Sequence, residues 1–492
     1  SAGYDHKKMG ITARGAWVSV QRHFRELGIN VQTDPISVIG IGDMAGDVFG
    51  NGLLQSRTLK LVAAFNHQHI FIDPEPDPER SFAERERLFS LPRSSWADYD
   101  RDLISEGGGV FSRSLKQITL TPQMRERFAI SAERLTPTEL IQQLLKAPVD
   151  LIWNGGIGTY VKASSETHAD VGDKANDALR VNGRDLRCRV VGEGGNLGLT
   201  QLGRIEYCLH GGALNTDFID NAGGVDCSDH EVNIKILLNE VVAAQDMTAK
   251  QRNRLLASMT DSVAELVLGN NYKQTQAISL AQRQAAQTMG EYQRFISAME
   301  GSGKLNRALE FLPEDDQLAE RKASGKGLTR AELSVLISYS KADLKEALVA
   351  SDVPEDAYLA RELETAFPPV LLKSWRDALG RHRLRREIVA TQLANNLVNH
   401  MGITFLRRLE QSTGAAAADI ARAWVVARDV FELQTHFAGI EALDYQVSAE
   451  VQLELMEELM RLGRRASRWF IRNRRSELSP EREVAHFGPC VR

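Results

Sequence analysis

Cysteine is scarce. Cys188, Cys208, Cys227 and Cys490 are the only four in 492 residues, and no two stand at a paired spacing. That excludes a disulfide framework and a zinc site built on thiolate pairs, so no metal is expected and a reducing cytoplasm fits best. An excess of basic charge is also lacking: 60 Lys and Arg face 65 Asp and Glu, for a net charge of −5. A polyanion needs a basic footprint, so nucleic acid is not an expected partner. No run of about eighteen apolar residues appears, so no membrane span is expected. The opening residues Ser1-Ala2-Gly3-Tyr4-Asp5-His6-Lys7-Lys8 lack an apolar core and do not read as a signal peptide. Both ends read as cuts through a longer protein.

What is present is ordinary for a globular chain, with 43% hydrophobic and 25% charged residues. The length implies roughly two to four domains. Two regimes meet near residue 245. Before it, short β-branched runs alternate with helical stretches and glycine clusters; after it, long amphipathic helical patterns dominate. The expected division is an α/β domain over 1–245 and a helical region over 246–492.

Trp17, Val20, Phe24 and Leu27 recur at helical spacing, and Gly28 stops that helix. Asp34-Pro35 breaks the chain before the run Ile36-Ser37-Val38-Ile39. Glycines, a second helix and the run Leu59–Phe65 follow, which makes a βαβ unit. Residues 74–135, with three Asp/Glu-Pro steps and Gly107-Gly108-Gly109, read as an insertion. Further strands are expected at Val149–Trp153 and Arg187–Val191, each ending in glycines. Such strands predict a doubly wound Rossmann-type sheet whose ligands bind at the strands' carboxyl ends, followed by an all-α region. In that region Thr329-Arg330-Ala331-Glu332 has the form of a capping box, and Trp375–Arg408 continues a helical pattern. The arginine runs Arg381–Arg386 and Arg464-Arg465 read as solvated or salt-bridged helix faces.

The strongest local motif is Val38-Ile39-Gly40-Ile41-Gly42-Asp43-Met44-Ala45-Gly46. Gly40 permits a tight turn, and Gly42 lets a pyrophosphate approach the backbone. The following helix offers free amides. The spacing is one residue longer than the commonest dinucleotide fingerprint. A glycine-rich turn that binds nothing is the competing reading. A ribose-binding acid is expected about 20 residues on, where Asn66 stands instead. With no arginine beside Asn66 in sequence, NAD is preferred over NADP, unless a guanidinium such as Arg57 reaches the site. His67 and His69 read as solvated loop residues. The loop Asn154-Gly155 joins the cofactor candidates. Gly192-Glu193-Gly194-Gly195-Asn196 and Asp217–Ser228 add neutral polar contacts in Asn196, Asn221 and Ser228, with no general base. Ordinary turn chemistry is again the plainer alternative.

Glu-Gly-Gly-Asn followed by Asp-x-x-x-Asn-Ala-Gly-Gly-Val-x-x-Ser resembles the glutamate, leucine, phenylalanine and valine dehydrogenase superfamily. Met9-Gly10-Ile11-Thr12-Ala13-Arg14-Gly15 resembles the helix that opens its coenzyme domain. The wording Tyr4–Trp17 and Gly40–Gly52, with the helical second half, is closest to the large-subunit bacterial NAD-dependent glutamate dehydrogenases. The resemblance covers essentially the whole chain. It implies NAD as cofactor, with L-glutamate, 2-oxoglutarate and ammonia as substrates and products, and a homo-oligomer in the full-length protein. By position it implies Thr12 at the nicotinamide carboxamide; Gly40, Gly42, Asp43, Met44 and Gly46 at the pyrophosphate; Asn66 at the ribose; Asn196 at the nicotinamide ribose. Lys8 becomes a coenzyme-side charge, and Asn221 and Ser228 face the amino acid. Gly195 departs from the family's usual alanine, as Asn66 does from its acid. The family's catalytic lysine and aspartate would precede residue 1, so the catalytic residues are unknown here. A dehydrogenase for a branched-chain or aromatic amino acid, and a non-catalytic nucleotide-sensing scaffold, remain as alternatives; Ser228 favours glutamate over the former.

Overall fold

A computed structural model describes residues 3–474 and 478–491. The chain divides into two compact units. One holds residues 5–226 with Thr329–Ala331. The other holds residues 227–328 and 332–492, with Tyr4.

The first unit is built on a six-stranded sheet. Its strands are β1 (Ile36–Ile41), β2 (Leu59–Phe65), β3 (His69–Ile72), β4 (Gly109–Ser112), β5 (Leu151–Asn154) and β6 (Val190–Glu193), in the order β6-β5-β1-β2-β3-β4. The first four in that order run parallel, and β3 and β4 add an antiparallel edge. The edge strand β4 comes from the segment that reads as an insertion, so part of that segment is sheet. Alternation of side chains splits the sheet residues between two cores. Ile39, Val62, Ile70, Ile72, Ile152 and Val191 pack on one face with helices α5 (Pro122–Phe128), α6 (Pro137–Leu145) and α7 (Gln201–Leu209). Val38, Leu61, Phe71, Leu151, Trp153 and Val190 pack on the other with α2 (Ile11–Glu26), α3 (Asp47–Leu53) and α4 (Pro78–Ser90). Both faces are therefore dry, which is why these strands read as unbroken apolar runs. Trp17 meets Trp153 edge-on at 5.8 Å, and Phe71 stacks on Trp96 at 4.9 Å. Each such ring contributes about 1.5–3 kcal/mol of burial.

Local chemistry sets the element ends. Thr136 and Glu139 form a capping box around Pro137 at the start of α6, and Leu140, Ile141, Leu144 and Leu145 then recur on its buried face. Gly28, at φ +75°, ends α2. Before α2 lies the single-turn helix α1 (His6–Met9).

In the second unit every named element among the described residues is a helix. Its principal helices are α9 (Thr260–Gln284), α10 (Met289–Gly301), α12 (Arg385–Met401), α13 (Phe405–Thr413), α14 (Ala417–Val430) and α15 (Ala449–Arg474). The helices α8 (Ala222–Ala243) and α11 (Arg330–Val349) each begin with residues of the first unit. The Trp375–Arg408 pattern is not one helix. It breaks after Leu379, and again at Gly402, whose φ of +95° ends α12. Its arginines are largely paired, Arg385 and Arg386 with Glu355 at 2.7 and 2.8 Å. Among the described residues no helix is long and apolar enough to cross a membrane, and no group of three or more His, Cys, Asp or Glu side chains is placed to hold a metal ion.

Candidate functional site

The carboxyl ends of β1, β5 and β6 deliver three glycine loops to one place. The Gly155 amide donates to Ile41 O at 3.0 Å, and the Gly195 amide to Asn154 O at 2.8 Å. The loops can meet because they lack side chains. A Cβ at Gly155 would lie 2.5 Å from Phe49 Cα, and one at Gly195 the same distance from Gly156 O. Gly40 has a different role from the tight turn expected of it. It lies inside β1, and a Cβ there would stand 2.5 Å from the Phe49 ring, so Gly40 lets α3 approach the strand. Gly42 carries φ +131°, which an L side chain rarely adopts, and its carbonyl accepts from Trp96 Nε1 at 3.0 Å.

The helix after the fingerprint is short, and two of the amides before it are taken. Asp43 Oδ1 accepts from the Ala45 and Gly46 amides at 3.1 and 3.2 Å. The orphan donors are the first-turn amides of α3 itself. Asp43 also accounts for the acid missing after β2. Its Oδ2 accepts from Asn66 Nδ2 at 3.0 Å, while Asn66 Oδ1 accepts from the Gln68 and His69 amides. A carboxylate therefore stands at the end of β2, supplied by β1's loop. Two further readings are corrected here. An arginine does adjoin Asn66: Arg113 donates to its carbonyl at 2.8 Å, from 47 residues away. Arg57 is not that guanidinium, since it stacks over Phe82 at 4.5 Å. His67 is exposed, but His69 belongs to β3 and its Nδ1 is buried.

Met44 is 2% exposed and belongs to the core beside Phe49, so only its backbone can serve a ligand. Lys8 is exposed on α1; it is Lys7 whose ammonium reaches the fingerprint loop, donating to Ala45 O at 3.1 Å. Asn154 is 1% exposed. Its Oδ1 accepts from the Gly156 amide at 3.3 Å, and its buried Nδ2 has no partner among the described residues.

Asn196 and Asn221 come together, Asn221 Nδ2 donating to Asn196 Oδ1 at 2.5 Å. Thr12 comes to the same segment: a Cβ on Gly224 would lie 2.6 Å from its hydroxyl. Gly223 and Gly224 are not a turn. They belong to α8, which starts at Ala222, so Ser228 lies in its second turn and does not cap a helix beginning at Asp229.

Beneath Asn196 and Asn221 is an ionic cluster that sequence reasoning missed. Arg204 grips Glu193 through Nε and Nη2 at 2.8–3.2 Å and reaches Asp217 at 3.1 Å. Asp217 Oδ2 accepts from the Leu197 amide at 2.8 Å, and Asp220 Oδ2 from the Glu193 amide at 3.0 Å. Asn215 links Asp220 to Arg330, donating to the one at 2.9 Å and accepting from the other at 3.0 Å. Glu193 and Asp220 are fully buried and Arg204 is nearly so. Burial pushes the Glu193 carboxyl up to about 7 against the opposing pull of Arg204, and pushes Asp220 up to about 6. The cluster pins the loop carrying Asn196 to the segment carrying Asn221. Glu193 stands in the Glu-Gly-Gly-Asn motif, but nothing in the spacing of its partners announces the contact.

The sheet defines a mixed α/β protein whose strand-end loops are made mostly of backbone and neutral side chains. Residues 1–281 match the family described as bacterial NAD-glutamate dehydrogenase, catalytic domain, and residues 325–492 match glutamate dehydrogenase, C-terminal. The chain belongs to the bacterial NAD-glutamate dehydrogenase family. It is 72% identical over 491 residues to the NAD-specific glutamate dehydrogenase of Pseudomonas aeruginosa, covering 100% of this chain and 30% of that protein. Identity is 61% over 487 residues to the protein of the same name from Halomonas elongata, covering 99% of this chain and 30% of that protein. It is 47% over 498 residues to that of Mycobacterium tuberculosis, covering 100% and 30%. The chain spans about 30% of the length of these relatives.

Proposed function

We propose that this chain supplies the coenzyme-binding part of an NAD-dependent glutamate dehydrogenase, which oxidatively deaminates L-glutamate to 2-oxoglutarate and ammonia. The observation that carries the reading is the convergence of three glycine loops with Thr12, Asn196 and Asn221 at the ends of parallel strands. In this reading residues 1–245 form a Rossmann-type, doubly wound coenzyme domain and residues 246–492 a helical C-terminal region. The whole protein is a cytoplasmic homo-oligomer of the wider amino-acid dehydrogenase superfamily.

The residues present fit a dinucleotide. The lack of side chains at Gly42 and Gly155 lets their loops pack closely on Phe49 of α3, which holds the fingerprint backbone at the strand ends. The buried Nδ2 of Asn154 is a donor awaiting an acceptor. NAD would supply an acceptor for the hydride from glutamate's α-carbon. Thr12 and Asn196 would orient the nicotinamide end, Gly42, Asp43, the Met44 backbone, Gly46 and Gly155 the phosphates, and Asn66 with Asp43 the ribose, while Gly40 acts behind them by admitting Phe49. Lys7, more than Lys8, would place positive charge beside the fingerprint loop. Asn221 and Ser228 would hold the amino acid. The groups that move protons would come from parts of the longer protein that this chain, at about 30% of its relatives' length, does not include.

The purified chain is expected to bind NADH without oxidising glutamate. Fluorescence titration and a glutamate oxidation assay test this together; turnover by the chain alone would place the proton-transfer groups within these residues and overturn the division of labour.

NAD should be preferred over NADP because the Asp43 carboxylate would repel a 2′-phosphate beside Asn66. The Arg113 guanidinium is already engaged with the Asn66 carbonyl. Asp43→Asn keeps an acceptor for the Ala45 and Gly46 amides while removing both the charge and the bond accepted from Asn66 Nδ2. It is expected to raise NADPH affinity relative to NADH by about tenfold, the equivalent of about 1.4 kcal/mol. An unchanged ratio in paired titrations would mean that another group sets the preference.

A further inference from the structure

The helical unit holds a cavity of its own, about 50 Å³, walled by α9, α10, the end of α12 with the link Gly402–Thr404, the start of α13, and α15. One water needs roughly 10–15 Å³ on this measure, so the space admits several waters or one small solute. Its charges do not balance. Glu291 accepts from the Thr404 hydroxyl at 3.0 Å and pairs with Arg408 at 2.9 Å, which commits the carboxylate to one guanidinium. Arg464 is a second guanidinium on the wall. It is half-buried, and among the described residues it has no ion pair or hydrogen bond. Burial, and then the field of Arg408, disfavour its charge; Glu291 opposes them in part, and Arg461 and Arg465 add a smaller push the same way as Arg408. An anion between Arg464 and Arg408 would relieve both the burial and the repulsion.

The helix ends add to the surplus. Thr288 and Thr404 stand at the N-caps of α10 and α13, and neither caps with its side chain. The Thr288 hydroxyl donates to Gln284 O at 2.9 Å, and that of Thr404 goes to Glu291. At α10 the Glu291 and Tyr292 amides return to Thr288 O, so it is the nine-residue α13 that presents a first turn without a side-chain cap at the cavity, through Thr404 and Phe405. The same wall carries Leu280, Met401, Ile403 and Met460, the last one turn before Arg464 on α15. A bare inorganic oxyanion would leave those apolar side chains unused, whereas a carboxylate with a hydrocarbon tail uses them and the charges.

We propose that this cavity binds a small carboxylate bearing a short apolar tail, with its oxygens on Arg464 and Arg408 and its tail on Leu280 and Met460. The site is independent of the coenzyme cradle and of the activity proposed above, since it is read by binding alone.

The test is calorimetric titration of the purified chain with sodium butyrate, and separately with inorganic phosphate, at an ionic strength held constant with sodium chloride. Saturable butyrate binding is expected, at least tenfold tighter than phosphate. Arg464→Met keeps the apolar stem and should weaken it roughly tenfold or more, as loss of a charge-assisted hydrogen bond would. Arg464→Lys keeps the charge without the planar fork, perturbs folding least, and should also bind more weakly than wild type. Arg461→Met, exposed one turn earlier and off the cavity wall, should bind as wild type does. Absence of saturable butyrate binding overturns the assignment. So do phosphate binding as tight as butyrate, unchanged affinity in both Arg464 variants, or an equal loss in Arg461→Met.

Discussion

Arg204→Met is expected to destabilise the first unit by about 3–5 kcal/mol, the usual cost of removing one partner from a buried ion pair. A domain has roughly 5–15 kcal/mol to lose, so the variant should melt far below wild type or fail to fold. The size follows from what is left behind. Glu193 is fully buried, Asp217 is 7% exposed, and Arg204 is the guanidinium that contacts both. The same cluster gives a pH signature. Glu193 and Asp220 titrate in the folded protein near 7 and 6, above the ordinary carboxylate value near 4. The folded state therefore holds these protons more tightly than the unfolded chain. Their contribution to stability is full below about pH 4 and is lost as pH rises through about 6 and 7. Melting temperatures of the wild-type chain at pH 5, 6, 7 and 8 should fall across that window. Arg204→Met should fall more steeply, because Glu193 then loses the cation that favours its charged form. A variant that melts within two or three degrees of wild type, with a flat pH dependence, would mean that the cluster is not load-carrying in solution.

The parallel strands were legible because both their faces are buried. Leu59–Phe65 was read to the residue, and Ile36–Ile39 and Val149–Trp153 were read to within about two residues at either end. Gly28 ended its helix as expected, through a left-handed φ. The edge strands were not legible. His69–Ile72 and Gly109–Ser112 are four residues each, too short for a period to emerge, and the second begins at a glycine cluster that reads as loop. The glycine fingerprint was found, but the job of its first glycine was misread, because the bulk it makes room for is the ring of Phe49, nine residues away. Gly223 and Gly224 read as a turn for the same reason. Glycine inside a helix costs about 1 kcal/mol against alanine, so a pair of them argues for a break. What offsets that cost at Gly224 is the approach of the Thr12 hydroxyl, 212 residues away and invisible in a local window. The arginine beside Asn66 and the partners of Glu193 escaped likewise: Arg113, Arg204 and Asp220 are brought in by tertiary structure, not by spacing.

Ser228→Ala, made in a protein of the relatives' full length, is expected to lower kcat/KM for glutamate by about ten- to a hundredfold while leaving NADH affinity near normal. Under the proposed function the hydroxyl donates to the distal carboxylate of the substrate, and a hydrogen bond to a charged group is worth about 1.5–3 kcal/mol. A purely structural role makes the rival prediction, since a serine that caps a helix contributes about 1 kcal/mol of stability. The helix boundary removes that rival in its simple form. The helix starts at Ala222, six residues earlier, and Ser228 sits half-buried in its second turn. At such a position alanine is the better helix former by a few tenths of a kcal/mol, which offsets part of the interaction that Ser228 makes within the fold, so stability should change by no more than about 1 kcal/mol. Stability and kinetics therefore separate more cleanly than the sequence allowed. A raised KM or lowered kcat with intact melting supports the contact with substrate. Near-normal kinetics would remove it, along with the main local reason for preferring glutamate to an apolar amino acid. The comparison with leucine as substrate completes the test: the serine hydroxyl offers an apolar side chain nothing, so Ser228→Ala should narrow the discrimination between glutamate and leucine by the same factor that it lowers glutamate turnover.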